Sequence, residues 1–199
     1  MKRPCIAVVF LCMSFLFAGE LSHTVEFPTS DLIFSKIGDY DIVELHGYPS
    51  GTKVGEPRLP HVVQALLIPA GAEPTGVELI SEEITDIDGI YNIAPTEPDV
   101  PLPMPGKTFT PKIFPANQNI YSADIVYPEI KIRITGSGTM AGYRVAHVEI
   151  FPLCYNPVKK SLQFVKRLSY RIHYEENIYN AVIPTEYQKN IFGEEIRTL

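Results

Sequence analysis

The 199-residue sequence has no tryptophan, 3 cysteines, and 17 Lys and Arg against 23 Asp and Glu. Each shortage excludes something. The net charge of −6, with no Lys/Arg cluster, excludes nucleic acid as a partner, because phosphate binding needs grouped cations that release counterions. Two of the cysteines, Cys5 and Cys12, lie in the N-terminal apolar segment, so Cys154 stands alone in the remainder. With no intrachain disulfide available, stability has to come from a core rather than from covalent staples. Cys154 sits among apolar residues in F-P-L-C-Y-N-P with no cation beside it, which reads as a small buried hydrophobe rather than a nucleophile. His23, His46, His61, His147 and His173 are scattered, and no H-E-x-x-H, G-x-S-x-G, P-loop or C-x-x-C pattern occurs. No catalytic residue, cofactor or metal site is therefore expected. The acidic stretch Glu82, Glu83, Asp86, Asp88 fails as a calcium loop, because Ile90 and Tyr91 stand where an oxygen ligand and a glycine belong.

Long hydrophobic runs are missing too, with one exception. Lys2 and Arg3 precede an uncharged apolar run from Cys5 to Gly19, closed by Glu20. That is signal-peptide length, short of the roughly twenty residues a spanning helix needs. Residues 1–19 are expected to be a signal peptide cut near Ala18 or Gly19, so the membrane is met only through this segment during export. Its removal takes away Lys2 and Arg3, moving the charge from −6 to −8 and leaving 180 of the 199 residues. The expected destination is the periplasm or the extracellular space and cell surface.

What is abundant is proline: 18 against 13 glycines, near twice the usual share of roughly 5 %. Proline removes amide donors from helices and central strands, so long helices are disfavoured and a β-rich chain is expected. The periodicity agrees. Glu129–Thr135 alternates, with Ile130, Ile132 and Ile134 on one face. Leu162–Tyr174 alternates over its whole length except at Lys166. Ile42–Leu45, Val62–Ile68, Val77–Ile90 and Tyr143–Phe151 add extended candidates separated by Gly and Pro. Tyr143–Phe151 and Leu162–Tyr174, with Asn156-Pro157 starting the reversal, read as one long hairpin. Many short strands so punctuated predict an antiparallel β-sandwich of two packed sheets, with a short helix after Pro184-Thr185. Lys159, Lys160, Lys166, Arg167 and Arg171 read as a solvated basic side.

Seven prolines fall between Ala94 and Pro115: Pro95, Pro98, Pro101, Pro103, Pro105, Pro111 and Pro115. Such density excludes a central strand and predicts a long extended loop with polyproline character. Loops of that length are usually functional or disordered, and a pre-ordered backbone loses less entropy on entering a partner's groove.

Two passages carry a resemblance. G-E-P-R-L-P at residues 55–60 runs into V-V-Q-A-L-L-I-P at 62–69, and G-Y-R-V-A-H-V-E-I-F-P-L-C-Y-N-P at 142–157 precedes a strand ending R-I-H-Y. In order and spacing these resemble the prodomains of gingipain-type cysteine peptidases. The family-motif positions are Gly55, Pro57, Leu59, Pro60, Pro152, Tyr155, Asn156 and Pro157, and the likeness spans roughly residues 40–175. The resemblance implies a secreted zymogen prodomain that inhibits its own peptidase and assists its folding, with the cognate catalytic domain as partner in cis or in trans. It further implies that a basic loop residue fills the peptidase's specificity pocket, for which Lys107 and Lys112 are the candidates. The implied organisation is residues 1–19 signal peptide, 20–175 prodomain, and 176–199 a linker or short helix with Lys189 and Arg197 as activation-cleavage candidates. The family's Cys-His catalytic domain follows its prodomain and is not found before Leu199, so the expected chain is no enzyme. It would be a fragment of a longer precursor or a free-standing prodomain-like protein. The competing expectation is a secreted β-sandwich binding module, whose 11 tyrosines and 10 phenylalanines would stack on carbohydrate or another cell-surface component. That reading requires coplanar exposed aromatics on one sheet face.

Overall fold

The structure is a computed structural model that describes residues 17–98, 114–176 and 181–196. Its elements are β1 (Phe17–Glu26), β2 (Leu32–Ile37), β3 (Tyr40–Leu45), β4 (Val62–Leu67), β5 (Ala72–Ile87), α1 (Gln118–Tyr121), β6 (Ile132–Met140), β7 (Tyr143–Ile150), β8 (Leu153–Asn156), β9 (Ser161–Glu176) and α2 (Glu186–Ile196). Every pairing between these strands is antiparallel, and the fold is an all-β sandwich.

One sheet is built around β9, whose alternation gives it one apolar face. β5 pairs along nearly its whole length, from Ala72↔Glu176 to Ile87↔Leu162. The other edge of β9 is shared: β8 takes Ser161 to Phe164 and β1 takes Arg167 to Glu176. Between the two, the Phe27 amide donates to the Lys166 carbonyl and the Val165 amide to the Pro152 carbonyl, both at 2.8 Å. The β5 register also shifts there, so the break in alternation at Lys166 marks a bulge at the handover between neighbouring strands. The second sheet has the order β4-β7-β6, and β2-β3 forms a separate ribbon.

The long hairpin expected from Tyr143–Phe151 and Leu162–Tyr174 does not form. β7 belongs to the second sheet, and only the four-residue β8 turns back onto β9. The chain changes sheets at Phe151-Pro152: the Phe151 amide donates to the Lys131 carbonyl in one sheet, and the Pro152 carbonyl accepts from Val165 in the other. Proline suits this crossing because only its acceptor is used. β6 starts at Ile132 rather than Glu129, leaving Ile130 exposed.

The core lies between the sheets. Leu162, Phe164, Leu168, Tyr170 and Ile172 of β9 are fully buried against Val62 and Leu66 of β4 and Ala146, Val148 and Ile150 of β7. The Tyr170 hydroxyl crosses the gap to donate to Gln64 Oε1 at 2.9 Å. Arg144 of β7 ties the sheets at one end, donating to the Ala72 carbonyl at 3.0 Å and pairing with Glu73, whose carboxyl it holds below the usual range. Lys131 reaches Glu82 at 2.7 Å further along. α2 is opened by a capping box: the Gln188 amide donates to Thr185 Oγ1 at 3.3 Å and the Thr185 amide to Gln188 Oε1 at 2.9 Å. Pro184 and Gln188 press on Gly142 in the β6–β7 turn, whose φ of +86° and lack of a side chain admit them.

Candidate functional site

Residues 99–113, and with them Lys107 and Lys112, lie outside the described residues, as do residues 1–16 and Arg197. What the structure does describe is how the chain enters and leaves that segment, where the first resemblance motif holds it and the second supports the residues behind.

The first motif grips the two roots. The Gly55 amide donates to the Thr96 carbonyl at 2.8 Å on the outgoing side, while the Gly55 carbonyl accepts from the Asn117 amide at 2.8 Å on the returning side. A single residue thus holds both ends of the proline-rich segment. The Thr96 amide donates to Glu56 at 2.7 Å and the Arg58 amide to Ala94 at 2.8 Å, with Pro57 bridging Pro95 between them. Gly55 is buried at φ +85°, and a β-carbon there would stand 3.2 Å from the Pro115 carbonyl oxygen. Glycine is required on both counts. Leu59 is buried in the core and Pro57 and Pro60 are buried beside it.

The second motif fixes what the first leans on. Tyr155 and Tyr127 exchange backbone hydrogen bonds, both at 2.8 Å. The buried Tyr155 hydroxyl donates to the Tyr91 carbonyl at 3.0 Å, the Tyr121 hydroxyl to Ile93 at 2.9 Å, and the Tyr127 hydroxyl to Glu56 Oε2 at 2.6 Å. Burial raises all three phenols, Tyr127 to about 12 with a further push from Glu56. They remain donors throughout the neutral range. Asn156, buried, accepts from the Val158 and Lys159 amides at 3.1 and 2.9 Å and donates to Asp124 Oδ1 at 2.8 Å. It therefore closes the β8–β9 turn and ties it to the segment behind α1. Asn156→Ala is expected to cost about 1–3 kcal/mol, since it strands the two turn amides that its buried side chain satisfies. A denaturant midpoint lowered with unchanged slope would show this.

Glu56, Asn117, Tyr121, Asp124 and Tyr127 join the site without having been singled out by the sequence pattern. Only Asn117 has a local signal: its side chain accepts from the Asn119 amide at 3.1 Å as the N-cap of α1. The others act across separations in the chain that no short pattern exposes.

The remaining candidates fall elsewhere. Lys189 lies in α2, paired with Glu186 at 2.7 Å. Cys154 is buried and burial pushes its thiol up to about 11, so no nucleophile is presented. Arg167 pairs with Glu26, Arg171 with Glu20 and Lys159 with Asp124, which leaves the basic side an exposed set of ion pairs. Among the described residues the exposed aromatics are Phe34 on β2, Tyr48 in a turn, and Tyr187 and Phe192 on α2. They share no sheet face, so the stacking platform that a carbohydrate-binding module needs is not formed by them.

The family model Propeptide_C25 matches residues 22–197. The chain belongs to the Propeptide_C25 family. Among solved structures, this Propeptide_C25 chain is similar to one from the complex of the Porphyromonas gingivalis RgpB pro- and mature domains. That match has a TM-score of 0.67 and 16 % identity, covering 88 % of this chain and 90 % of that one. A structure concerned with the zymogenic latency of gingipain K from Porphyromonas gingivalis matches with a TM-score of 0.61 and 20 % identity. Here the coverage is 82 % of this chain and 95 % of that one. No curated protein matches the chain. The all-β sandwich is thus the fold of a propeptide associated with C25 cysteine peptidases.

Proposed function

We propose that this propeptide is the exported, non-catalytic inhibitor and folding aid of a C25 cysteine peptidase, and that residues 99–113 are the part it lays across the substrate cleft. The observation that carries the reading is the double grip of Gly55 on Thr96 and Asn117. A segment held at both ends by backbone hydrogen bonds to one buried residue loses less freedom on binding, which is how a loop gains affinity without new contacts. Inhibition then needs no chemistry from this chain, only occupation of the cleft by the loop. Within it, Lys107 or Lys112 supplies the cation for the specificity pocket.

The likeness to a chain from a complex of pro- and mature domains supports the catalytic domain as the partner, in cis or in trans. Residues 1–19 direct export to the periplasm or beyond the cell, residues 20–175 form the inhibitory domain, and residues 176–199 carry the activation cut. Of the two basic candidates, Arg197 follows α2 directly, whereas cutting at Lys189 requires the helix to unwind first.

The test adds the purified chain at micromolar concentration to the C25 peptidase of the same organism and follows residual activity. Progressive loss of activity is expected. The Lys107→Ala/Lys112→Ala pair should weaken inhibition at least about tenfold, the scale of one lost buried charge contact. An unchanged inhibition constant would remove both lysines from the proposal, and no inhibition by the wild-type chain would overturn it.

A further inference from the structure

The outer edge of β2 carries just one of the devices that keep exposed strands apart, the single charge of Lys36. Natural edge strands carry proline, a bulge, several charges, or a covering element. β2 reads L-I-F-S-K-I, six residues with one charge, no proline, and a regular register against β3 from Leu32↔Leu45 to Ile37↔Tyr40. Among the described residues no strand pairs with its other edge. Leu32 packs against the core, but further along Ile33 is 45 % exposed and Ile37 54 % on one face, and Phe34, beside the Tyr91 ring at 5.7 Å, is 45 % exposed on the other. β3 behind it is buried, with Ile42 at 3 % and Val43 at 0 %. β2 is thus the rim of the molecule, presenting both side chains and backbone.

Which amides it presents follows from the turn. Gly38-Asp39 is a two-residue hairpin loop with Gly38 at φ +59°, so the flanking pair Ile37–Tyr40 is hydrogen-bonded. Bonding alternates along an antiparallel pair. Ile33, Ser35 and Ile37 therefore turn their backbone groups toward β3, and Phe34 and Lys36 turn theirs outward.

We propose that this edge pairs with β2 of a second copy of the chain, antiparallel and centred on Ser35. A twofold axis normal to the ribbon keeps each face on its own side, which restricts pairing to residues of like parity. Centred on Ser35, the outward groups of Phe34 meet those of Lys36 twice, closing four backbone hydrogen bonds. On one face each Ile33 then lies opposite an Ile37, and on the other each Phe34 ring lies opposite a Lys36 ammonium, a cation–π pairing. The one charge of the strand, Lys36, is paired with Asp41 at 3.4 Å and meets no like charge within the paired residues, so the strand is complementary to itself in backbone and apolar contact. The interface is small and the dimer correspondingly weak. It requires no peptidase contact and stands or falls apart from the proposed inhibition.

Sedimentation of the purified chain from roughly 5 to roughly 500 µM tests it, a range suited to an interface below the standard size. The weight-average mass should climb from the monomer toward twice that value. Ile33→Glu should hold the chain monomeric across the range, and Ile33→Glu/Ile37→Lys should restore the dimer, because only this register sets residue 33 of one copy against residue 37 of the other. Lys36→Pro, which removes an outward donor and leaves the β3 ladder intact, should abolish it. Hydrogen exchange should slow at Phe34 and Lys36 as concentration rises. A wild-type chain that stays monomeric at the highest concentration overturns the proposal, as does a dimer indifferent to Ile33→Glu. Protection of those amides at every concentration in a monomer also overturns it, and assigns the edge to another segment of the same chain.

Discussion

Tyr170→Ala is expected to destabilise the domain by about 3–5 kcal/mol, a large part of the roughly 5–15 kcal/mol typical of a folded domain. Tyr170 sits at 0 % exposure in the middle of β9, the strand on which three others depend. Removing its ring empties the space between the sheets and also removes the hydroxyl that reaches Gln64. The two losses separate cleanly. Tyr170→Phe keeps the ring and strands only the Gln64 acceptor, costing about 1–2 kcal/mol. Urea titrations of the three proteins should give midpoints in the order wild type, Phe, Ala. Equal midpoints for wild type and Tyr170→Ala would mean that the sheets do not share one core.

Gly55→Val should act differently, sparing the fold and disabling the loop. At φ +85° a β-branched residue is strained, at a cost of about 1–3 kcal/mol, and its β-carbon meets the Pro115 carbonyl at 3.2 Å. The cheapest relief is to let the roots part, breaking the bonds to Thr96 and Asn117. Both ends of residues 99–113 then lose their fixed spacing, and inhibition of the peptidase should weaken at least about tenfold while the circular dichroism of the sheets is retained. Gly76→Ala is the control, because Gly76 lies in β5 with nothing within 4 Å of its would-be β-carbon and no positive φ. It should leave inhibition unchanged. If Gly55→Val also leaves inhibition unchanged, the clamp does not position the loop.

These two residues show how unevenly the sequence discloses the molecule. The placement of Tyr170 is legible in the sequence, because the alternation that starts at Leu162 assigns it to the buried face. The break at Lys166 is visible as well, though not its cause, since the handover from β8 to β1 depends on strands far away in the chain. The pairing of β7 is not legible. Proximity in sequence favours a hairpin with β9, and nothing local to Phe151-Pro152 announces a change of sheet. Gly55 stands out only as part of a motif. Its function as a tie for both loop roots emerges only when Thr96 and Asn117 are brought beside it, and of the tyrosines that steady them only Tyr155 belongs to a motif; Tyr121 and Tyr127 carry no signature except abundance. Periodicity reports which face of a strand is buried; it does not report which strands meet.

Titration of the C25 peptidase with the purified chain, intact and with residues 99–113 replaced by a short Gly/Ser linker, tests the proposed inhibitory role most directly. The intact chain is expected to abolish activity at an equimolar end-point, and the shortened chain to fold with the same urea midpoint within about 1 kcal/mol of stability but to leave the peptidase active. Equal inhibition by the two would contradict the role given to the loop, and inhibition by neither would contradict the role given to the domain.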